Sequence, residues 1–215
     1  MKSILVVGLG HFGRHIINKL NELNCQIMAV DINEERVNEL APKVDSAQIG
    51  DTTNREFLMG LGVESFDTVI VTITEDFQAS LETTSLLKDL GAQHVVSRAS
   101  SSIQEKFLLR NGADEVVYPE KQLAAWTCVR CTSEHVFDYI DLGENKAIYE
   151  VSVPKEWSGR TVQNIAIRSK YGMNLLGIRL NGYLNTSIGP DTLLQAGSTI
   201  LVLGDEKKII DVFNL

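Results

Sequence analysis

A chain of 215 residues with 44% hydrophobic content holds enough apolar material for one large domain or two modest ones, so a folded, soluble protein is expected. No run approaches the roughly 18 to 20 apolar residues that span a bilayer, and the opening MKSILVVGLG reaches glycine too early for a signal peptide, which makes a cytoplasmic location the expectation. The net charge of -8 argues against nucleic acid as the main partner, because that affinity comes largely from lysine and arginine neutralising phosphates.

Taken in chain order, short β-rich runs alternate with stretches of helical spacing: SILVV then HIINKLNEL, QIMAV then NEERVNELA, AQIG then NREFLMGL, TVIVTI then QASLETTSLLKDL, HVVSR then SIQEKFLLRNG, with EVVYP closing the series. The strands read as continuous Val/Ile runs. That is the pattern of an α/β fold, a Rossmann-like doubly wound parallel sheet covered by helices on both faces. A long helix over roughly Lys121 to Phe137 is expected to leave this unit. After it, YIDLG, AIYEVSVP, NLLGIRLNGYL and STILVLGD read as strands separated by Gly, Asn and Pro, with short helices at TVQNIAIRSK and EKKIIDVF. The expectation is a first domain over 1–134 and a smaller α+β domain over 135–215, too small to bury much core alone and therefore expected to dimerise or pack on a neighbour.

Cys25, Cys128 and Cys131 make an odd count and are expected to be reduced thiols. Cys128 and Cys131 form a C-x-x-C within a helical segment, read either as two helix thiols one turn apart or as part of a metal or redox site that lacks further ligands. His11 and His15 share a helical face at i, i+4, again with no third ligand nearby.

Gly8, Gly10 and Gly13 stand as G-x-G-x-x-G between the first strand and the first helix, where glycines serve a tight turn, close approach to phosphate and helix-on-strand packing. The helix N-terminus then offers N–H groups and a positive dipole end to an anion. Asp31, at the end of the second strand, is placed to accept ribose hydroxyls and to repel a 2′-phosphate. Asp51 and Thr52 after the third strand, Thr72 and Ile73 after the fourth, Arg98 after the fifth and Glu120 after the sixth complete a rim at one sheet edge. Asp51 with Thr52 reads equally well as a cap for the next helix. No Tyr-x-x-x-Lys pair and no Ser-His-Asp set accompanies the glycines, so a sensed nucleotide is preferred over an NAD-dependent oxidoreductase, the rival reading.

GLGHFG, VDINEERV, IGDTTN, GADEVVYPEK and RSKYGMNLLGI together resemble the TrkA/KtrA regulators of bacterial potassium uptake, cytoplasmic RCK proteins with a Rossmann-like N-terminal subdomain and a smaller C-terminal one. The resemblance implies a homo-oligomer, from dimer to octameric ring, docked at the inner face of the cell membrane beneath a potassium transporter. It implies ATP/ADP or NAD(H) as ligand, with Gly8, Gly10 and Gly13 in the phosphate loop that also holds His11 and Phe12, Asp31 as the ribose carboxylate, Ile32 among the cofactor-binding residues, Arg36 and Arg98 as surrounding cations, and Glu120 near the phosphates and a divalent cation. A free-standing nucleotide sensor with a soluble partner is the third reading. Family members carry an arginine where His11 stands, so the grip on a terminal phosphate is expected to be weaker and pH-dependent, with Arg14 as the compensating cation. In the second domain Ile167, Arg168, Asn174, Leu175 and Pro190 match positions that bind cyclic di-AMP in relatives, with a guanidinium for phosphate, an amide for a polar edge and apolar walls for adenine.

Overall fold

A computed structural model describes all 215 residues, which divide into two compact units, Met1–Glu120 and Lys121–Leu215. The first unit runs β1 (Ser3–Val7), α1 (His11–Glu22), β2 (Gln26–Asp31), α2 (Glu34–Leu40), β3 (Ser46–Ile49), α3 (Arg55–Leu61), β4 (Thr68–Val71), α4 (Phe77–Asp89), β5 (Val95–Arg98), α5 (Ser102–Arg110) and β6 (Glu115–Val117). Its six strands form one parallel sheet in the order β3-β2-β1-β4-β5-β6. The alternation of side chains along each strand supplies two cores. From β1, Leu5 and Val7 join Val30, Val69, Val71 and Val95 under α3 and α4. Ile4 and Val6 face the other way, toward Ile17, Ile27, Val37 and Leu40 of α1, β2 and α2. Asn33, Asn54, Asp76 and Ser101 cap α2, α3, α4 and α5 through their side chains, whereas α1 begins at Gly10 with no side-chain cap.

The second unit takes nearly all of α6 (Pro119–Thr132), followed by β7 (Val136–Gly143), β8 (Lys146–Ser152), α7 (Val162–Ile165), α8 (Ile167–Tyr171), β9 (Asn174–Leu180), β10 (Tyr183–Asn185), β11 (Thr199–Asp205) and α9 (Glu206–Phe213). Its five strands form an antiparallel sheet in the order β10-β9-β11-β8-β7. Asn181 and Gly182 both take positive φ in the two-residue turn between β9 and β10, the geometry an Asn-Gly pair favours in a hairpin.

Four expectations change here. The division falls at Glu120 rather than near residue 135, because Trp126 and Val129 of α6 pack against the second core and Trp126 Nε1 donates to Asp138 at 2.9 Å. The helix also stops at Thr132, and Val136 and Phe137 belong to β7. TVQNIAIRSK is two short helices, since Ala166 takes φ +56 between them. Finally, the small unit does bury a core of its own: Tyr149, Met173, Leu194, Ile200, Val202 and Ile209 are fully enclosed, and Trp157 packs its ring 5.3 Å from Tyr171 and 5.4 Å from Phe213. The hydroxyls of Tyr139 and Tyr149 both donate to Glu206 Oε1 at 3.1 Å, tying the start of α9 to the sheet.

Candidate functional site

The strand order reverses between β1 and β4, and open α/β sheets hold ligands outside the carboxyl ends of their strands at such a point. A cleft of about 440 Å³ lies there, lined by Val7, Gly8 and Gly10 from the first turn, Asp31, Ile32 and Arg36 from the second, Gly50 to Thr53 from the third, and Thr72 to Asp76 from the fourth, with Gln78, Ala79 and Glu82 of α4.

Each glycine of the loop has a separate physical cause. Gly8 takes φ +89 and lies against Ile73 and Thr72, so a side chain would be strained there and crowded as well. A Cβ on Gly13 would sit far closer than 3.0 Å to the carbonyl oxygen of Gly8 and 2.9 Å from Thr72 Oγ1, which is the price of seating α1 on the end of β1. Gly10 is different. It has φ -67, a value open to any residue, and a Cβ there would meet nothing within 4 Å. It stands at the uncapped start of α1, whose first-turn N–H groups have no partner inside the helix.

Asp31 is 6% exposed and holds the loop in place: its Oδ2 accepts from Leu9 N–H at 2.6 Å and its Oδ1 from Asn33 N–H at 2.8 Å. Each carboxylate oxygen keeps a further lone pair for a ligand hydroxyl. Asp31→Ala is expected to cost about 2 kcal/mol of stability through the two orphaned N–H groups, measured by denaturant titration. Arg36 spans two sides of the cleft, with Nη1 3.8 Å from Asp31 and Nη2 3.4 Å from Glu75. Thr72 Oγ1 donates to Gly8 O, and buried Thr52 pairs with Thr83 at 2.9 Å. Asp51 Oδ1 accepts from Thr53 N–H and hydroxyl at 2.9 and 2.7 Å, and the cap of α3 is Asn54, not Asp51 or Thr52.

Gly8, Gly10, Asp31, Ile32, Arg36, Asp51, Thr52, Thr72 and Ile73 thus come together, whereas His11, Phe12, Gly13, Arg98 and Glu120 do not line the cleft. His11 is exposed as the first residue of α1. Arg98 is ion-paired to Glu120 and lies over the Phe12 ring at 5.0 Å, a separate cluster in which its buried Nε has no acceptor. Glu120 is therefore engaged by a guanidinium, and no group of three or more His, Cys, Asp or Glu is placed to hold a metal. Arg14 is not free to act at a phosphate: its Nε donates to Leu9 O at 3.0 Å and Nη1 pairs with Glu39. Reasoning from strand ends missed Gly50, Glu75 and Glu82. The T-E-D run at 74–76 carried a signal, because its Asp caps α4 and so fixes the loop over the cleft.

In the second unit Arg168, Asn174 and Pro190 are exposed and Leu175 packs partly on the core. Ile167, expected as an apolar wall, is 2% exposed and belongs to the core instead, since it begins α8 facing the sheet. No helix of the chain is long and apolar enough to cross a membrane.

Residues 4–119 match the TrkA-N domain and residues 147–215 the TrkA-C domain. The chain is 36% identical over 203 residues to Ktr system potassium uptake protein C of Bacillus subtilis, covering 94% of this chain and 92% of that protein, and 33% identical over 208 residues to Ktr system potassium uptake protein A of the same organism, covering 97% and 94%. Among solved structures the GsuK channel superposes with a TM-score of 0.74 at 21% identity over 98% of this chain, which spans 38% of the channel chain. A second structure, the GsuK channel bound to NAD, gives 0.69 at 19% identity over 96% of this chain and 38% of its own. With both domain matches in order along one chain, this protein belongs to the TrkA/KtrA family of potassium-uptake regulatory proteins.

Proposed function

We propose that this chain is a non-catalytic subunit whose first unit binds an adenine nucleotide, ATP/ADP or NAD(H), and whose nucleotide state gates a membrane potassium transporter from the cytoplasmic side. The observation that carries the reading is Gly10. Nothing in the chain needs a glycine there, yet it stands where an uncapped helix start meets the cleft, so the empty space beside it is reserved for a molecule that approaches the backbone closely. Asp31 supplies the ribose acceptor one strand away, and Ile32, largely exposed on the cleft wall, offers apolar surface for a base. The cations near the loop are all paired: Arg14 with Glu39, Arg36 with Glu75, and Arg98 with Glu120. Backbone N–H groups and the helix dipole are left to hold the phosphates, with His11 at the rim. The relatives named as potassium uptake proteins and the NAD-bound channel support this reading.

The test uses a substitution that separates fold from ligand. Gly10→Ala fits its backbone and its space, so the thermal midpoint is expected to stay within about 1 °C. Affinity for ATP, ADP and NADH, by calorimetry, is expected to fall at least about tenfold, because the new methyl occupies the approach to the phosphates. Affinity that survives the change moves the ligand away from the loop.

A further inference from the structure

Arg36 is the only cation on the cleft wall, where it stands among the carboxylates of Asp31, Asp51, Glu75, Asp76 and Glu82. Four of these acids have local partners in the fold. Asp31 accepts from Leu9 and Asn33, Asp51 from Thr53, Asp76 from Ala79 N–H as the cap of α4, and Glu82 from Gln78 on its own helix at 2.8 Å. Glu75 is different. It bonds to Arg36 alone, from the loop between β4 and α4, and its side chain is 84% exposed.

The guanidinium is therefore held between two strand ends. Its Nη2 lies 3.4 Å from Glu75 Oε1, within hydrogen-bond reach, whereas its Nη1 lies 3.8 Å from Asp31 Oδ2, an ion-pair contact too long for a hydrogen bond. That Asp31 oxygen already takes the Leu9 N–H. Glu75 is thus the one carboxylate that Arg36 hydrogen-bonds, and the remaining donors of its fork are unused.

This matters because of what an arginine does at such a place. In dinucleotide folds the carboxylate ending the second strand accepts the ribose hydroxyls, and an arginine nearby accommodates a 2′-phosphate. The cleft holds both groups side by side, so Asp31 by itself does not decide the matter: a free guanidinium beside it would offset its repulsion of the added phosphate with a charge-assisted hydrogen bond.

Resting on the nucleotide reading above, we propose that Glu75 is a specificity-determining residue: by engaging Arg36 it makes the cleft accept adenine nucleotides with a free 2′-hydroxyl and reject their 2′-phosphorylated counterparts. It acts through Arg36. A 2′-phosphate must displace the Glu75 carboxylate from the guanidinium and then lie between two like charges, whereas a hydroxyl needs only the lone pairs of Asp31.

The test compares ADP-ribose with 2′-phospho-ADP-ribose on the full chain by calorimetry at low salt. The two probes share the adenosine diphosphate portion of ATP, ADP and NAD(H), so the comparison does not depend on which of these is the native ligand. The parent chain is expected to prefer ADP-ribose at least about thirtyfold. Glu75→Gln, at an exposed position, is expected to keep ADP-ribose affinity within about twofold and to tighten the 2′-phosphate form at least about fivefold, a gain that high salt shrinks. Adding Arg36→Met to that variant is expected to cancel the gain. A parent that takes both probes alike, a ratio that Glu75→Gln leaves unmoved, or a gain that survives Arg36→Met overturns the proposal. Gly10→Ala separates the two readings: if it spares ADP-ribose affinity, or if the parent binds neither probe, the nucleotide site itself is misplaced and both fall. Affinity lost in Gly10→Ala, together with a ratio indifferent to Glu75, removes the role of Glu75 alone.

Discussion

Gly13→Ala is expected to unfold the first unit or leave it severely weakened, with about 3 kcal/mol lost and no measurable nucleotide binding. The added methyl would lie inside the contact distance of the Gly8 carbonyl oxygen and 2.9 Å from Thr72 Oγ1. Neither can yield cheaply. The Gly8 oxygen is main chain at the end of β1, and it is also the acceptor for Thr72 Oγ1, so relief requires α1 to move off the sheet and break that bond. The comparison with Gly10→Ala makes the measurement decisive, because two alanines three residues apart should differ by about 3 kcal/mol. Denaturant titration of the two variants gives the result, and similar midpoints would show that α1 is not seated on Gly8.

Arg179→Met is expected to produce the largest loss in the second unit and to change how that unit responds to acid. Glu150 is 6% exposed in the middle of the sheet, where Arg179 of β9 bonds it in a fork, Nε to Oε1 at 2.8 Å and Nη2 to Oε2 at 3.1 Å, and Thr199 of β11 donates to Oε1. Burial pushes the Glu150 carboxyl up, but the hydrogen bonds from Arg179 and Thr199 outweigh it and hold the group below its ordinary value. A carboxyl depressed in the folded state stabilises above its unfolded pKa, and that contribution disappears as the pH falls through the folded value. Without the guanidinium, the same carboxylate is buried with one hydroxyl for company. Its pKa is then expected to rise above the ordinary range, so that at neutral pH the variant melts about 5 °C or more below the parent. The difference should narrow toward pH 4, where protonation removes the unpaired charge. Equal midpoints at both pH values would show that the fork contributes nothing.

Much of the cleft was legible before any coordinates because its parts are local. A glycine spacing, a strand ending in Asp31 and alternating runs of two periods follow from nearest neighbours along the chain, and the parallel sheet with its reversal point follows from their order. The potassium-uptake family was legible for the same reason, since its segments recur in sequence along the whole chain. Charge pairing was not. Arg14, Arg36 and Arg98 read alike as cations near a phosphate loop, but all three are taken, by Glu39, Glu75 and Glu120, partners 22 to 39 residues away that only the fold brings within reach. The end of α6 was misplaced for a related reason. Helical spacing continues past Thr132, while the pairing of Val136 with Val151 across the sheet is a long-range contact that outweighs it. Ile167 shows the same limit: on a short helix an apolar residue beside a basic one suits a ligand wall or a core equally well, and burial in the cluster that includes Met173, Ile200 and Ile209 decided for the core. Local chemistry specifies which groups are available, and the tertiary structure decides which of them are already spent, because hydrogen bonds and burial are exclusive uses of a side chain.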